Sequence, residues 1–389
     1  MLSVFEKGII ELIKGSLTGS VPQIDSEFDY EKAYEYAQQR QITPLLYYGA
    51  VNTPGFMDAI YGKRFFKSTM NLSFYCSEQV NLIETIKEAF EKNQINFVLL
   101  KGTVVRGFYP CPEMRLMSDA DILIKEEEYE KIRPIMVSLG FEEQYESDHE
   151  LVWKKSGVTV ELHKRLIPSY NKDYYEYFGD GWKLATVKAE DSNQWFMSNE
   201  DCFIYILVHF AKHYRDMGIG IKHLTDFYVY LEKYPDLDFG YIDKELEKLQ
   251  ILEFWKNIKS VIDAWFSNGE WNEKNLFLTR KIISNLAYGS EDNRTQARAL
   301  KASKKTKHFK LKRYFLLVFP GYTLMADKYP VLKKVPILLP FMWIARWFTA
   351  LICPKKIKNQ VKRIEAVNEK TVSQYQSELN YVGLDFNFE

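Results

Sequence analysis

The sequence predicts an α+β protein in which a small mixed β-sheet is embedded between helical N- and C-terminal segments. Three observations carry this. Over residues 1–94 apolar side chains recur at helical spacing, as in NLIETIKEAFEKN (81–93). Between 95 and 195 the period falls to two, in short β-rich runs bounded by glycine: INFVLLKG (95–102), DADILI (119–124) and VTVELH (158–163). From 196 onward the helical period returns in EDCFIYILVHFAKHYRD (200–216) and IKHLTDFYVYLEKY (221–234).

Each element has its own local reason. The opening MLSVFEKGIIELIKG reads as an amphipathic helix and not a leader, because it has acidic residues and no long apolar core. Helix 81–93 leads into a strand over 95–100 that ends at Lys101-Gly102-Thr103. A second strand holds Asp119 and Asp121. KEEEYEKIRPIMVSLGF (125–141) reads as a helix with an acidic first turn, closed by Gly140 and kinked or shortened by Pro134. ELVWKKSGVTVELHKRL (150–166) reads as a hairpin turning at Ser156-Gly157. Ser198 or Asn199 caps the helix that follows. The segments are therefore 1–94 helical, 95–195 the sheet module with helix 81–93 packed on it, 196–300 helical, and 301–389 a basic, aromatic helical end.

The whole chain of 389 residues has formal net charge +0, 46% hydrophobic and 27% charged residues, an ordinary globular balance. Its 26 Tyr and 26 Phe make a heavily aromatic core the first expectation. The four cysteines, Cys76, Cys111, Cys202 and Cys353, form no CxxC pair, so neither a zinc knuckle nor a disulfide framework is signalled. Reduced thiols and a cytoplasmic location follow. Charge is uneven: basic runs at 301–313 and 354–363 bracket an apolar stretch at 335–353. Arg346 near its middle and Pro336 and Pro340 at its start argue against a membrane span. Core packing is the leading reading of 335–353, with peripheral membrane or partner contact second. Nucleic acid is disfavoured, since the basic runs lack interleaved aromatics and the net charge is zero.

The chemistry concentrates in MRLMSDADILI (114–124). Carboxylates at i and i+2 of a strand share a face, and two like charges held so close call for a cation. Glu161 lies on the polar face of VTVELH with Thr159 and His163. If that strand neighbours the Asp119–Asp121 strand, three carboxylates converge. Hard oxygen ligands in that number suit Mg²⁺, with Mn²⁺ as a substitute, and phosphoryl transfer uses such a set. The Gly102-Thr103 turn offers backbone N–H groups to phosphates, and Lys101 and Arg115 are nearby cations. Arg115 has a second reading, as a structural partner of Asp119.

With those residues in place, the chain resembles the nucleotidyltransferase superfamily of polymerase-β type. More narrowly, LLKGTVVRGFYPCPEMRLMSDADILI is similar to a bacterial family of uncharacterised nucleotidyltransferases. The shared pattern falls here on Lys101, Gly102, Tyr109, Pro110, Arg115, Asp119, Asp121, Glu161 and His163. HFAKHYRDMGIGIKHLTDF and FPGYTLMADKY also look like that family, so the likeness covers the chain from about residue 30 onward. It implies a nucleotidyltransferase-type mixed sheet with flanking helices. Two positions depart from the pattern: Thr103 stands where Ser is usual, and Glu161 where Asp is common.

The leading expectation is a Mg²⁺-dependent enzyme that moves an NMP group from an NTP, ATP first, to an acceptor hydroxyl and releases pyrophosphate. Asp119, Asp121 and Glu161 are the metal and catalytic set; Lys101, Gly102, Thr103 and Arg115 would hold the nucleotide. His163, His209, His213, Lys222 and Asp226 are candidates for an acceptor pocket. His163 could equally be a polar-face residue. His209 and His213 share a helix face at i and i+4, which suits packing or a pocket better than zinc, as no third ligand is near. Lys222 and Asp226 have i,i+4 ion-pair spacing. The acceptor, a small molecule, a glycan or a protein, is open at this stage. A catalytically relaxed adaptor of the same fold, docked on a membrane or a biosynthetic partner, is the alternative, and a small-molecule kinase the third reading.

Overall fold

The computed structural model describes residues 1–385 apart from 170, 188–191, 288, 290, 302–305, 323–324, 327–328, 330, 353–357, 359–360 and 363. Most of the basic run at 354–363 and Cys353 therefore lie outside the described residues. The chain divides into two compact units. The first takes residues 1–214, 219–289 and 382–389; the second takes 215–218 and 290–381.

The first unit opens with helices α1 (Val4–Thr18), α2 (Tyr30–Arg40), α3 (Thr43–Ala50) and α4 (Ile60–Lys92). Ser3 and Glu6 form a reciprocal capping box on α1, so two orphan N–H groups are satisfied at its start. Gly49 in α3 lets that helix lie directly against the Leu12 carbonyl of α1, where a Cβ would have no room. The helix expected over 81–93 is the last third of α4.

Then comes the sheet module. Its elements are β1 (Phe97–Leu99), the single turn α5 (Gly102–Val105), β2 (Asp119–Ile124), α6 (Tyr129–Ser138), β3 (Glu142–Glu146), β4 (Glu150–Lys155), β5 (Val158–His163), α7 (Lys172–Phe178), β6 (Ala185–Val187) and β7 (Gln194–Met197). The strands form one seven-stranded sheet in the order β3-β4-β5-β2-β1-β7-β6. β2 pairs parallel with β5 and β1 parallel with β7, while the other neighbours are antiparallel, so the sheet is mixed. The α+β class expected from the sequence holds.

Period-two alternation explains which face is which. Ala120, Ile122 and Ile124 of β2, Leu151 and Trp153 of β4, and Val158, Val160 and Leu162 of β5 are buried together. They pack under Leu82, Ile86 and Phe90 of α4 and Ile132 and Met136 of α6. Fully burying a side chain of this size stabilises the fold by about 1.5–3 kcal/mol. Because those residues point to the helices, Asp119 and Asp121 of β2 and Glu161 and His163 of β5 must point the other way. The core thus fixes the site by orienting the strands that carry it.

The hairpin turn is where the sequence put it. Ser156 and Gly157 both have positive φ, 49° and 82°, the backbone of a type I′ turn. Helix α6 is shorter than 125–141 but runs through Pro134, and Gly140 at φ 81° ends it. Three strands escaped prediction: β3 has every residue exposed and no alternation, and β6 and β7 have three and four residues.

The unit continues with α8 (Asn199–Met217), α9 (Ile221–Lys233), α10 (Phe239–Lys248), α11 (Leu252–Phe266) and α12 (Glu273–Ser284). Ser198 caps α8: its hydroxyl accepts the Asp201 amide at 2.9 Å. The aromatic surplus goes into this layer, where Phe203, Phe227, Tyr230 and Trp255 meet edge-on or tilted.

The second unit holds α13 (Glu291–Lys301), α14 (Thr306–Val318), and helices over Leu339–Ile352 and Glu369–Tyr381. Among the described residues no helix is long and apolar enough to cross a membrane.

Candidate nucleotidyltransferase site

The parallel register of β2 and β5 sets Asp119 opposite Thr159 and Asp121 opposite Glu161. Like charges opposite each other on neighbouring strands repel, and burial makes this worse because little water screens them. The structure answers with two cations on one oxygen. Lys101 Nζ donates to Asp121 Oδ1 at 2.7 Å, and His163 Nε2 lies 2.7 Å from the same oxygen. His163 Nε2 is also 3.6 Å from Glu161 Oε2.

The Lys101 position has a backbone reason. Leu100 N donates to Asp121 O, continuing the β1–β2 ladder past the end of β1. The next residue, Lys101, has φ 47° and ψ −123°. A positive φ on a lysine is a sparsely populated conformation that costs on the order of 1–3 kcal/mol and clusters at functional sites. It turns the chain at the strand end, where the ammonium meets Asp121. The positive φ falls on Lys101 and not on the glycine that follows it. Gly102 is buried for another reason: a Cβ there would meet Met117 Sδ at 2.8 Å. Thr103 ties the turn to β2. Its hydroxyl accepts the Asp121 amide at 3.1 Å, and its own amide donates to Leu100 O.

Protonation follows from these contacts. Burial pushes Asp119 up to about 7, and the Asp121 and Glu161 carboxylates add to it, with Lys101 pulling the other way. Burial would also raise Asp121, but the Lys101 ammonium and the His163 hydrogen bond outweigh it and hold Asp121 well below the usual carboxylate range. For Lys101 burial favours the neutral amine; Asp121 overrides this and raises it. Burial and Lys101 both push His163 down, and its bonds to Asp121 and Glu161 bring it above its ordinary value. Three acids face one permanent cation and one titratable imidazole, so the site keeps a negative surplus suited to a metal. Asp121, Glu161 and His163 place ligand atoms within 4.8 Å of one another, and this is the group of its kind among the described residues. His163 Nδ1 is buried without a hydrogen-bond partner. The donor set of two carboxylates and an imidazole fits a divalent ion.

The remaining predicted residues form two clusters. In the first, Arg115 Nε and Nη2 donate to Asp226 Oδ1 and Oδ2 at 2.6 and 2.8 Å, a buried bidentate pair. Tyr109 Oη donates to Asp226 Oδ1 at 2.8 Å and lies 2.8 Å from Thr225 Oγ1. The residue that Asp226 holds on both oxygens is thus Arg115, 111 positions away, and not its α9 neighbour Lys222 or, for Arg115, Asp119. Lys222 Nζ donates to Gln41 Oε1 at 3.3 Å. Burial, reinforced by Arg115, lowers Lys222 to about 7. In the second cluster His209 Nε2 and His213 Nε2 are 3.0 Å apart. Burial first, then Lys101, holds His209 well below its ordinary value.

Sequence reasoning missed several residues here. Gln79 and Arg106 form a buried pair; Gln79 Nε2 donates to Met117 O, and Arg106 Nε donates to Arg115 O. They fix the segment that enters β2. Tyr205, buried in α8, lies close enough to Lys101 for that ammonium to act on its phenol. Only Tyr109 had a signal, its place in the Tyr-Pro motif. A cavity of about 230 Å³ opens beside the turn, lined in part by Lys101, Thr103, Trp195, Tyr205 and Tyr230.

Comparison with known proteins decides what this arrangement belongs to. Residues 26–267 match the family described as "Uncharacterised nucleotidyltransferase". The chain belongs to that family. The stretch spans the whole sheet module and most of the helical layer behind it. A solved structure, the solution structure of antibiotic-resistance factor ANT(2'')-Ia, is similar at 12% identity with a TM-score of 0.31, covering 49% of this chain and 97% of that one. A search of curated proteins finds no match. The nucleotidyltransferase family membership therefore rests on the sequence match, and the residue geometry stands beside it.

Proposed function

We propose that the chain is a Mg²⁺-dependent nucleotidyltransferase, with Mn²⁺ as a substitute, that transfers an NMP group from an NTP, ATP first, to an acceptor hydroxyl. The observation that carries this reading is the register that sets Asp121 against Glu161, with Asp119 on the same face of β2. Asp119, Asp121 and Glu161 would hold the metal, with His163 at its edge. When bound, the ion supplies positive charge to the phosphates and acidifies the attacking hydroxyl.

The side chains have separable tasks. Lys101 balances Asp121 and, with the Gly102-Thr103 turn, faces the phosphates. Arg115, tied to Asp226, keeps the 115–117 segment in place for β2. Glu161 takes the hydroxyl proton as the acceptor oxygen bonds to the α-phosphorus. The bond from that phosphorus to the bridging oxygen breaks, and pyrophosphate leaves with the electron pair. His209, His213 and Lys222 stand on the helical side, where an acceptor of small-molecule, glycan or protein class would enter.

One observation favours the alternative, a relaxed adaptor. Asp121 Oδ1 already takes both Lys101 and His163, so the site is internally satisfied at that oxygen. Parallel reactions with α- and γ-labelled ATP, Mg²⁺ and fractionated cell extract as acceptor source separate the readings. Transfer of the α label with release of pyrophosphate is expected. Transfer of the γ label indicates a kinase, and no transfer with either label favours the adaptor.

A further inference from the structure

The second unit carries an apolar surface with no counterpart in the site. On α14, Leu311, Phe315 and Val318 are exposed at i, i+4 and i+7. On the helix over Leu339–Ile352, Phe341, Ile344 and Phe348 are exposed at i, i+3 and i+7. Ile337, in the turn ahead of that helix, is exposed as well. Five of these large side chains, Leu311, Phe315, Ile337, Phe341 and Phe348, have between 60 and 81% of their surface in water. Singly exposed apolar residues are ordinary, but a run on one face of each of two helices marks an interaction site.

The same two helices are already packed on their inner sides. Trp343 Nε1 donates to Pro320 O at 2.9 Å, and Trp347 Nε1 donates to Val318 O at 2.7 Å. Phe319 meets both indole rings edge-on, and Leu339, Met342 and Trp343 pack on Met325, Ala326 and Leu332. The helix over Leu339–Ile352 is therefore apolar on two sides. A helix apolar all round belongs inside something.

Charge says what covers it. Residues 301–363 hold sixteen Lys and Arg against one acid, Asp327, in a chain whose net charge is +0. A second copy would bring the same positive surplus to the contact and be repelled. Nucleic acid would accept the charge but leave Leu311, Ile337 and Ile344 unserved. An anionic lipid surface meets both demands: it takes aliphatic and aromatic side chains at the headgroup boundary and attracts flanking cations. The helix over Leu339–Ile352, at 14 residues, is too short to span a bilayer but suits lying on one. We propose that α14 and the 337–352 segment form a peripheral docking face for anionic membrane.

The test is cosedimentation of the full-length chain with vesicles of phosphatidylcholine alone and of phosphatidylcholine with one quarter phosphatidylglycerol, against three variants. Phe341→Asp/Phe348→Asp and Leu311→Asp/Phe315→Asp alter the face on separate helices. Phe74→Asp changes an exposed phenylalanine in α4 and serves as control. Unchanged thermal midpoints check that the variants fold. Binding to the anionic vesicles is expected, weakened on the order of 100-fold by either double variant and unaltered by the control. Raised salt should weaken it further. Failure to bind either vesicle overturns the proposal, as does retention of full affinity by both folded double variants. Binding to single-stranded RNA without vesicle binding assigns the basic surplus to nucleic acid instead. Lipid-free self-association that the double variants abolish assigns the face to a second copy.

Discussion

Replacing Asp226 with Asn would strip the charge from a pair buried on both sides, with Arg115 only 7% and Asp226 only 4% exposed. The side chain keeps its shape, and the Arg115 guanidinium keeps its charge while losing the carboxylate that takes both Nε and Nη2. Two charge-assisted bonds, at 2.6 and 2.8 Å, are weakened at once. Removing one partner of a buried ion pair costs about 3–5 kcal/mol, mostly from the charge left behind. The same clamp holds Tyr109 and the segment that enters β2, so the loss reaches the site. The assay is urea and thermal unfolding of wild type, Asp226→Asn, Arg115→Met and the double variant Arg115→Met/Asp226→Leu. Each single change should lower the thermal midpoint by about 5 °C. The double variant should recover at least about 2 kcal/mol of the summed loss, because no charge is stranded. Single variants within about 1 kcal/mol of wild type, or strictly additive losses, would contradict a buried Arg115–Asp226 ion pair, since removing one partner of such a pair costs more than that.

Three further outcomes follow from the geometry. Gly49→Ala forces a Cβ into the Leu12 carbonyl of α1, so it should destabilise by about 2 kcal/mol or more, whereas Gly107→Ala, with open space around it, should be near neutral by urea unfolding. Lys222 is lowered from its ordinary value to about 7, so between roughly pH 7 and 9 the unfolded chain binds more protons than the folded one. Stability should therefore rise with pH in that window, by at most about 1.4 kcal/mol per unit from this group, and Lys222→Met should remove that increment in paired pH-dependent melts. Lys101→Met leaves His163 alone on Asp121 Oδ1 and should lower stability in urea unfolding by about 3 kcal/mol or more; a loss under about 1 kcal/mol would contradict the shared role of these two groups on that oxygen.

The strands that carry the site were legible because their alternation is strong. DADILI and VTVELH each bury one set of side chains and must therefore present Asp119, Asp121 and Glu161 on the other. The Ser156-Gly157 turn was legible because positive φ at both central residues has few sequence solutions. β3 was not, since Glu142–Glu146 has no buried face to pattern and is a strand only because β4 pairs with it. β6 and β7 are too short for periodicity to register. The Arg115–Asp226 clamp was out of reach for a different reason. Asp226 has a closer cation in sequence, Lys222, and only the tertiary fold brings Arg115 to both of its oxygens. Likewise Lys101 and Gly102 could be singled out as a pair, but not that the strained backbone sits on the lysine while the glycine makes room for Met117.

A metal-dependent nucleotide site on Asp121 is the proposal on which the rest depends. The most direct measurement is a thermal-shift titration of the full-length chain with ATP, GTP, CTP and UTP, each with and without Mg²⁺, on wild type and Asp121→Asn. A ligand held at 100 times its dissociation constant adds about 2.7 kcal/mol to the native state, several degrees for a chain of this size. Such a rise is expected for one NTP in wild type, present only with Mg²⁺ and absent in Asp121→Asn. No rise with any NTP, or one that survives both removal of Mg²⁺ and loss of the Asp121 charge, would contradict it.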